Sequence, residues 1–186
     1  MTPGQPPPPL SIERVLFTAE QIDARVREVA AEISERYATR GVTLIGVLKG
    51  SVFFLTALAR QLSIPARIDF LSIASFNPRG SRPGMVRIAK DLDEPIEGED
   101  ILLVEDIVDT GLTSRYLLQI LAGRGPNSLA ICTLLDRTSR RLVQVPVQHR
   151  CFEIPDRFVV GYGLDYRQHY RNLPYIAVLR HEDGWK

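Results

Sequence analysis

The chain is 186 residues long, 45% apolar and 24% charged, with 23 Lys and Arg against 22 Asp and Glu. This is the composition of one globular domain with a sizeable core, and the near-neutral balance argues against a general nucleic-acid binder while leaving room for a local basic pocket. Cys132 and Cys151 have no metal-ligand spacing and read as buried free thiols of a reducing compartment; with no signal-peptide pattern and no apolar run near the roughly 20 residues of a membrane span, a cytoplasmic protein that engages neither membrane nor nucleic acid is expected.

Residues 1–9 are too proline-rich for helix or central strand and read as a disordered tail, leaving 10–186 as a single domain. From 18 to 37 the pattern turns helical, with Ile22, Val26, Val29, Ala30 and Ile33 on one stripe and a capping box in Thr18 and Gln21. Residues 43–48 read as a buried strand, Lys49-Gly50-Ser51 as a turn, and 52–62 as a helix that Pro65 follows. A strand is expected over 67–75. Residues 76–84 carry Pro78, Gly80, Pro83 and Gly84 with Arg79 and Arg82, which suits a mobile basic loop, before a strand resumes over 86–90.

The stretch 101–118 organises the rest. Ile101 to Val104 read as a short buried strand closed by Glu105 and Asp106. Asp109, Thr110, Gly111 and Thr113 then make a small polar turn, and Tyr116, Leu117, Ile120 and Leu121 follow at helical spacing. Gly111 lets the backbone turn and approach a ligand closely. The hydroxyls of Thr110 and Thr113, with the N–H groups of the helix's first turn, suit an anion. Carboxylates beside such a cradle make sense if they point elsewhere: at sugar hydroxyls, at Mg²⁺ or at a substrate N–H.

Residues 123–127 stop that helix, and 128–135 read as another buried strand ending in Asp136-Arg137, with Arg140-Arg141 beyond it. Residues 157–164 lead to Asp165, and 175–179 form a last strand. Strands alternating with helices predict an α/β fold, a mostly parallel central sheet with helices on both faces. Ligands of such sheets sit beyond the carboxyl ends of the strands, so the turns after Leu48, Val104 and Leu135 should converge there. Neither Gly-x-Gly-x-x-Gly nor a Walker-type loop occurs.

Glu105-Asp106-Ile107-Val108-Asp109-Thr110-Gly111-Leu112-Thr113 resembles the phosphoribosyl-pyrophosphate motif of type I phosphoribosyltransferases, its hypoxanthine-guanine branch in particular. The resemblance extends from about 42 to 179, through Leu48-Lys49-Gly50-Ser51, Asp136-Arg137 and the run from Phe158 to Tyr166. It implies the family's fold, with a small hood and a flexible lid over 75–84 opened by Ser75 and Phe76. It implies purine salvage: Mg²⁺-dependent transfer of phosphoribose from 5-phosphoribosyl 1-diphosphate to N9 of a 6-oxopurine, by a homodimer or homotetramer.

The implied roles follow residue by residue. Asp109 is the general base. The 5′-phosphate sits in the loop from Asp109 to Thr113, with Thr110, Gly111, Leu112 and Thr113 around it. Lys49, Gly50 and Arg171 bind pyrophosphate, with the Leu48–Lys49 peptide cis. Glu105 and Asp106 take the ribose hydroxyls directly or through a metal, and Asp165 is the further metal ligand. Phe158 stacks on the purine and the Val159 backbone reads its edge. Two positions depart from the pattern. Phe76 stands where a tyrosine is usual, and Arg137 where a lysine donates to the purine 6-oxo group. Arg137 is expected to keep that purine contact; the alternative is that it points to solvent or to an acid such as Asp136, leaving recognition to Val159. Two other functions compete: a xanthine-preferring enzyme, and a regulator that binds the donor without turnover.

Overall fold

The computed structural model describes residues 12–76 and 85–180. The tail 1–9 and nearly all of the loop expected over 76–84 lie outside them. In chain order the elements are β1 (Ile12–Phe17), α1 (Ala19–Arg36), β2 (Val42–Leu48), α2 (Val52–Gln61), β3 (Ala66–Phe76), β4 (Met85–Lys90), β5 (Asp100–Val108), α3 (Leu112–Ala122), β6 (Ser128–Asp136), a 3-10 turn at Thr138–Arg140, β7 (His149–Glu153), β8 (Val159–Val160) and β9 (Ile176–Leu179). Six strands form the main sheet in the order β4-β3-β2-β5-β6-β7, parallel except for β4. A second sheet, β1-β9-β8, is antiparallel.

The helices cover both faces, as the unbroken apolar runs of the central strands require. Leu102 and Val104 of β5 join Ile22, Val26, Ile33, Phe54 and Leu58 in one core under α1 and α2. Ile101 and Leu103 face the other way and pack with Leu117 and Leu121 of α3. The expected stripe of α1 is fully buried. Its capping box forms: the Gln21 N–H donates to Thr18 Oγ1 at 3.3 Å and the Thr18 N–H to Gln21 Oε1 at 2.9 Å. The small sheet contributes Val159, Ile176 and Val178 to the α1–α2 core, so the hood is anchored apolar side first. Cys132 and Cys151 are buried and free. Among the described residues no helix is long and apolar enough to cross a membrane.

The expected elements differ from the structure in three places. β1 and β7 were not expected as strands; both are short edge strands, where alternation over five or six residues is a weak signal. Phe76 ends β3 rather than starting a loop, its backbone paired with Met85. The third difference makes the site. β5 does not close at Glu105 but runs to Val108, held on one side by β6 through Glu105↔Thr133, Ile107↔Leu135 and Val108↔Asp136. On its other side β2 pairs only as far as Gly46↔Val104. A crevice therefore opens between β2 and β5 at their carboxyl ends.

Candidate active site

That crevice holds a cavity of about 300 Å³ lined by Lys49 and Gly50 from the turn after β2, Glu105, Asp106, Asp109, Thr110, Gly111 and Thr113 from β5 and its loop, and Asp165 and Arg171 from the segment before β9. Ten residues expected from the sequence thus share one cavity. Leu112 begins α3 and is half exposed.

The loop between β5 and α3 is shaped by Gly111, the residue before α3, at φ +82°. A β-carbon there would strike the Val143 carbonyl at 2.6 Å, because residues 142 and 143 fold back and donate their N–H groups to the Thr110 carbonyl at 2.9 and 3.2 Å. The residue before α3, Gly111, has no side chain to cap it; the Leu112 N–H makes a long bond to Thr110 Oγ1 at 3.4 Å, and the start of the helix suits an anion.

Glu105 and Asp106 are adjacent strand residues and point to opposite faces. Glu105 turns towards α3, where the Ser114 hydroxyl donates to its Oε1 at 2.7 Å. Burial pushes its carboxyl up to about 7, with the neighbouring Asp106 charge adding and the Ser114 bond opposing. Asp106 turns towards Gly50, and a β-carbon on Gly50 would land on its carboxylate. Behind Gly50 stands Gly163, at φ +100°, whose own β-carbon would strike the Gly50 carbonyl. Burial raises the Asp106 carboxyl to about 6, against the Ile107 N–H and the Arg171 charge.

The Leu48–Lys49 peptide is cis, as the resemblance implied. Lys49 Nζ reaches Gln168 Oε1 at 3.2 Å. Asp165 accepts from the Gln168 N–H at 2.7 Å and pairs with Arg171 at 2.7 Å, while Arg171 also donates to the Gly163 carbonyl. Arg167, Gln168 and Tyr170 all sit at positive φ in this turn, a conformation no residue type there advertises.

Arg137 is buried, 5% exposed. It points neither to solvent nor to Asp136, which is taken by Arg141 and Arg150. One terminal nitrogen meets Asp109 Oδ2 at 3.2 Å and the other donates to the Arg157 carbonyl at 2.7 Å. That carbonyl directly precedes Phe158, which is half-buried with its ring edge-on to Tyr166 at 5.9 Å, and Val159, buried in β8. Ser75 and Phe76 end β3, and residues 77–84 of the expected lid lie outside the described residues. Ser114, Gln168 and the strap at 142–143 belong to the site and were not anticipated, since only the folded chain brings them to it.

No group of three His, Cys, Asp or Glu side chains suited to a metal occurs among the described residues. Glu105, Asp106 and Asp165 therefore do not form one cage. Mg²⁺ commonly takes one or two carboxylates with substrate phosphates and water, and Asp165 at the cavity wall fits that pattern.

A larger cavity, about 590 Å³, lies at the opposite, amino end of the strands. Its charges are paired among themselves, Arg67 with Glu99 and Arg40 with Asp100.

Residues 16–167 match the family described as phosphoribosyl transferase domain. The chain belongs to the phosphoribosyltransferase family. It is 46% identical over 187 residues to the hypoxanthine-guanine phosphoribosyltransferase of Mycobacterium avium, covering 96% of this chain and 92% of that one. It is 48% identical to the hypoxanthine phosphoribosyltransferase of Escherichia coli K12, covering 88% and 93%. A crystal structure of the hypoxanthine phosphoribosyltransferase of Staphylococcus aureus superposes with a TM-score of 0.86 at 40% identity, covering 91% and 92%. A ternary substrates complex of a Trypanosoma cruzi hypoxanthine phosphoribosyltransferase variant matches at the same score and identity over 91% and 96%.

The raised carboxyl of Glu105 sets a pH dependence. Folding moves it from 4.5 to about 7, so the folded chain holds a proton that the unfolded chain releases. The stability this contributes is full below about pH 4 and is lost as pH rises through 7. Glu105→Gln is expected to match the parent's melting temperature near pH 4 and exceed it at pH 8, where the underlying gain in stability is on the order of a few kcal/mol at most, in thermal melts without donor or metal. A constant difference across that range would contradict burial as the cause.

Proposed function

We propose that this chain is a purine-salvage enzyme that transfers the phosphoribosyl group of 5-phosphoribosyl 1-diphosphate to N9 of hypoxanthine or guanine, giving IMP or GMP and pyrophosphate. The observation that carries the reading is the crevice between β2 and β5, where the phosphate loop, the Lys49-Gly50 turn and Arg171 face one cavity with Asp109 at its edge.

The 5′-phosphate sits against Thr110 to Thr113 at the start of α3, where hydroxyls and N–H groups replace its hydration. The diphosphate lies against Lys49, Gly50 and Arg171, which stabilise the charge that grows on it as the bond to C1 breaks. Asp106 and Glu105 address the ribose hydroxyls. The purine lies on the Phe158 ring with its edge at the Val159 backbone. As N9 attacks C1, Asp109 accepts the N7 proton and pyrophosphate leaves with the bonding pair. When bound, Mg²⁺ would be held by Asp165 and the donor's own oxygens and would neutralise charge on the departing diphosphate. A cytoplasmic homodimer or homotetramer is the assembly proposed, on family resemblance.

Steady-state assays with hypoxanthine, guanine, xanthine and adenine test the reading. Turnover of hypoxanthine and guanine with little or none of adenine is expected. Fastest turnover with xanthine would move the assignment to that purine, and donor binding with no turnover on any base would make the chain a regulator.

A further inference from the structure

We infer that Arg137 is a positioning residue, acting on the reaction through Asp109 rather than on the purine. The inference rests on the reading of Asp109 as general base. Asp109 lies on the loop after β5, and a lone carboxylate there is free to rotate. The Arg137 guanidinium removes that freedom. It is 5% exposed, with one terminal nitrogen 3.2 Å from Asp109 Oδ2 and the other 2.7 Å from the Arg157 carbonyl. Its own backbone N–H donates to the Val108 carbonyl at 3.0 Å, next to Asp109 in sequence. The side chain is thus a rigid fork fixed at both tips. It ties the base to the segment that carries Phe158 and Val159, and so couples the phosphate half of the site to the purine half.

The geometry leaves Asp109 Oδ1 without a hydrogen-bond partner among the described residues, while Oδ2 is engaged. A carboxylate held by one oxygen, with the other buried and unpaired, keeps a fixed orientation. Arg140 approaches the same Oδ2 only to 4.0 Å and is engaged at 3.0 Å by Asp156, so it does not duplicate the role. Lysine at this position would offer its donors from one nitrogen on a flexible stem, whereas the planar fork meets the two acceptors with separate nitrogens in a fixed geometry.

The competing possibility is that Arg137 reads the purine directly through its Nε, which has no partner among the described residues. A double-mutant cycle separates the two, with Arg137→Gln, Asp109→Asn and their combination measured in single-turnover and steady-state assays on hypoxanthine and guanine. If Arg137 acts through Asp109, Arg137→Gln lowers the single-turnover rate about tenfold for both purines and leaves each purine KM within about twofold, and on the Asp109→Asn background the same change costs less than about twofold. Arg137→Lys is expected to fall between the parent and Arg137→Gln. The inference is overturned if the loss appears in purine KM, if the two purines separate, or if the full penalty persists on Asp109→Asn. Thermal melts report folding; should Arg137→Gln fail to fold, the cycle with Arg137→Lys decides by the same criterion. A parent protein inactive on every purine would instead sink the proposed function.

Discussion

Asp109→Asn is expected to lower kcat by about 10²–10⁴-fold, the usual worth of a general base, while donor affinity stays within about twofold. Asp109 lines the cavity beside the cradle that the proposed function assigns to Thr110, Gly111, Thr113 and the start of α3. Asparagine keeps the size of the side chain and still presents an oxygen to Arg137, so the scaffold should survive; what disappears is the ability to take up a proton. In the parent, Asp109 Oδ1 has no donor among the described residues, and an unmet buried acceptor costs about 1–3 kcal/mol, a cost that a substrate N–H would relieve. Calorimetric titration of the donor together with kinetics checks both halves. Unchanged turnover would remove Asp109 from the mechanism, and a donor affinity that collapsed with kcat would make it part of the cradle.

Gly50→Ala is expected to lower kcat/KM at least about 10²-fold, mainly through lost donor binding, and to lower the melting temperature by several degrees. Overpacking costs about 1–3 kcal/mol where neighbours can yield. Here they cannot readily yield. The new methyl would fall on the Asp106 carboxylate, which is held by the Ile107 N–H at 3.0 Å, and Gly163 approaches so closely that a β-carbon on it would strike the Gly50 carbonyl. Either Asp106 leaves its position in the cavity wall, where the proposed function puts the ribose, or the Lys49-Gly50 turn moves away from the place proposed for the diphosphate. Donor affinity and melting temperature near those of the parent would contradict the stacking of Asp106, Gly50 and Gly163.

Much of this was legible in the sequence because the signals are local. The stripe of α1, the runs of β2, β5 and β6 and the loop from Asp109 to Thr113 each state their own structure within a dozen residues. Non-local facts were not legible. That Glu105 and Asp106 belong to β5 depends on where β2 stops pairing and β6 continues, a matter of register between strands far apart in sequence. β1 needs β9 to exist as a strand, and its six residues carry no signal of a partner more than 150 residues away. The partner of Arg137 was equally hidden. Sequence alone offered Asp136, its neighbour, whereas the fold engages that acid with Arg141 and Arg150 and turns Arg137 to Asp109, 28 residues earlier.

The most direct measurement is a phosphorus NMR time course of the purified protein with 5-phosphoribosyl 1-diphosphate and Mg²⁺, before and after hypoxanthine is added. Before addition the donor signals should persist. Afterwards they should convert in equal amounts to pyrophosphate and a nucleoside 5′-monophosphate. Pyrophosphate released at the same rate without purine would mean a hydrolase, and a donor that stays intact with every purine would mean that the crevice between β2 and β5 binds the sugar phosphate without transferring it.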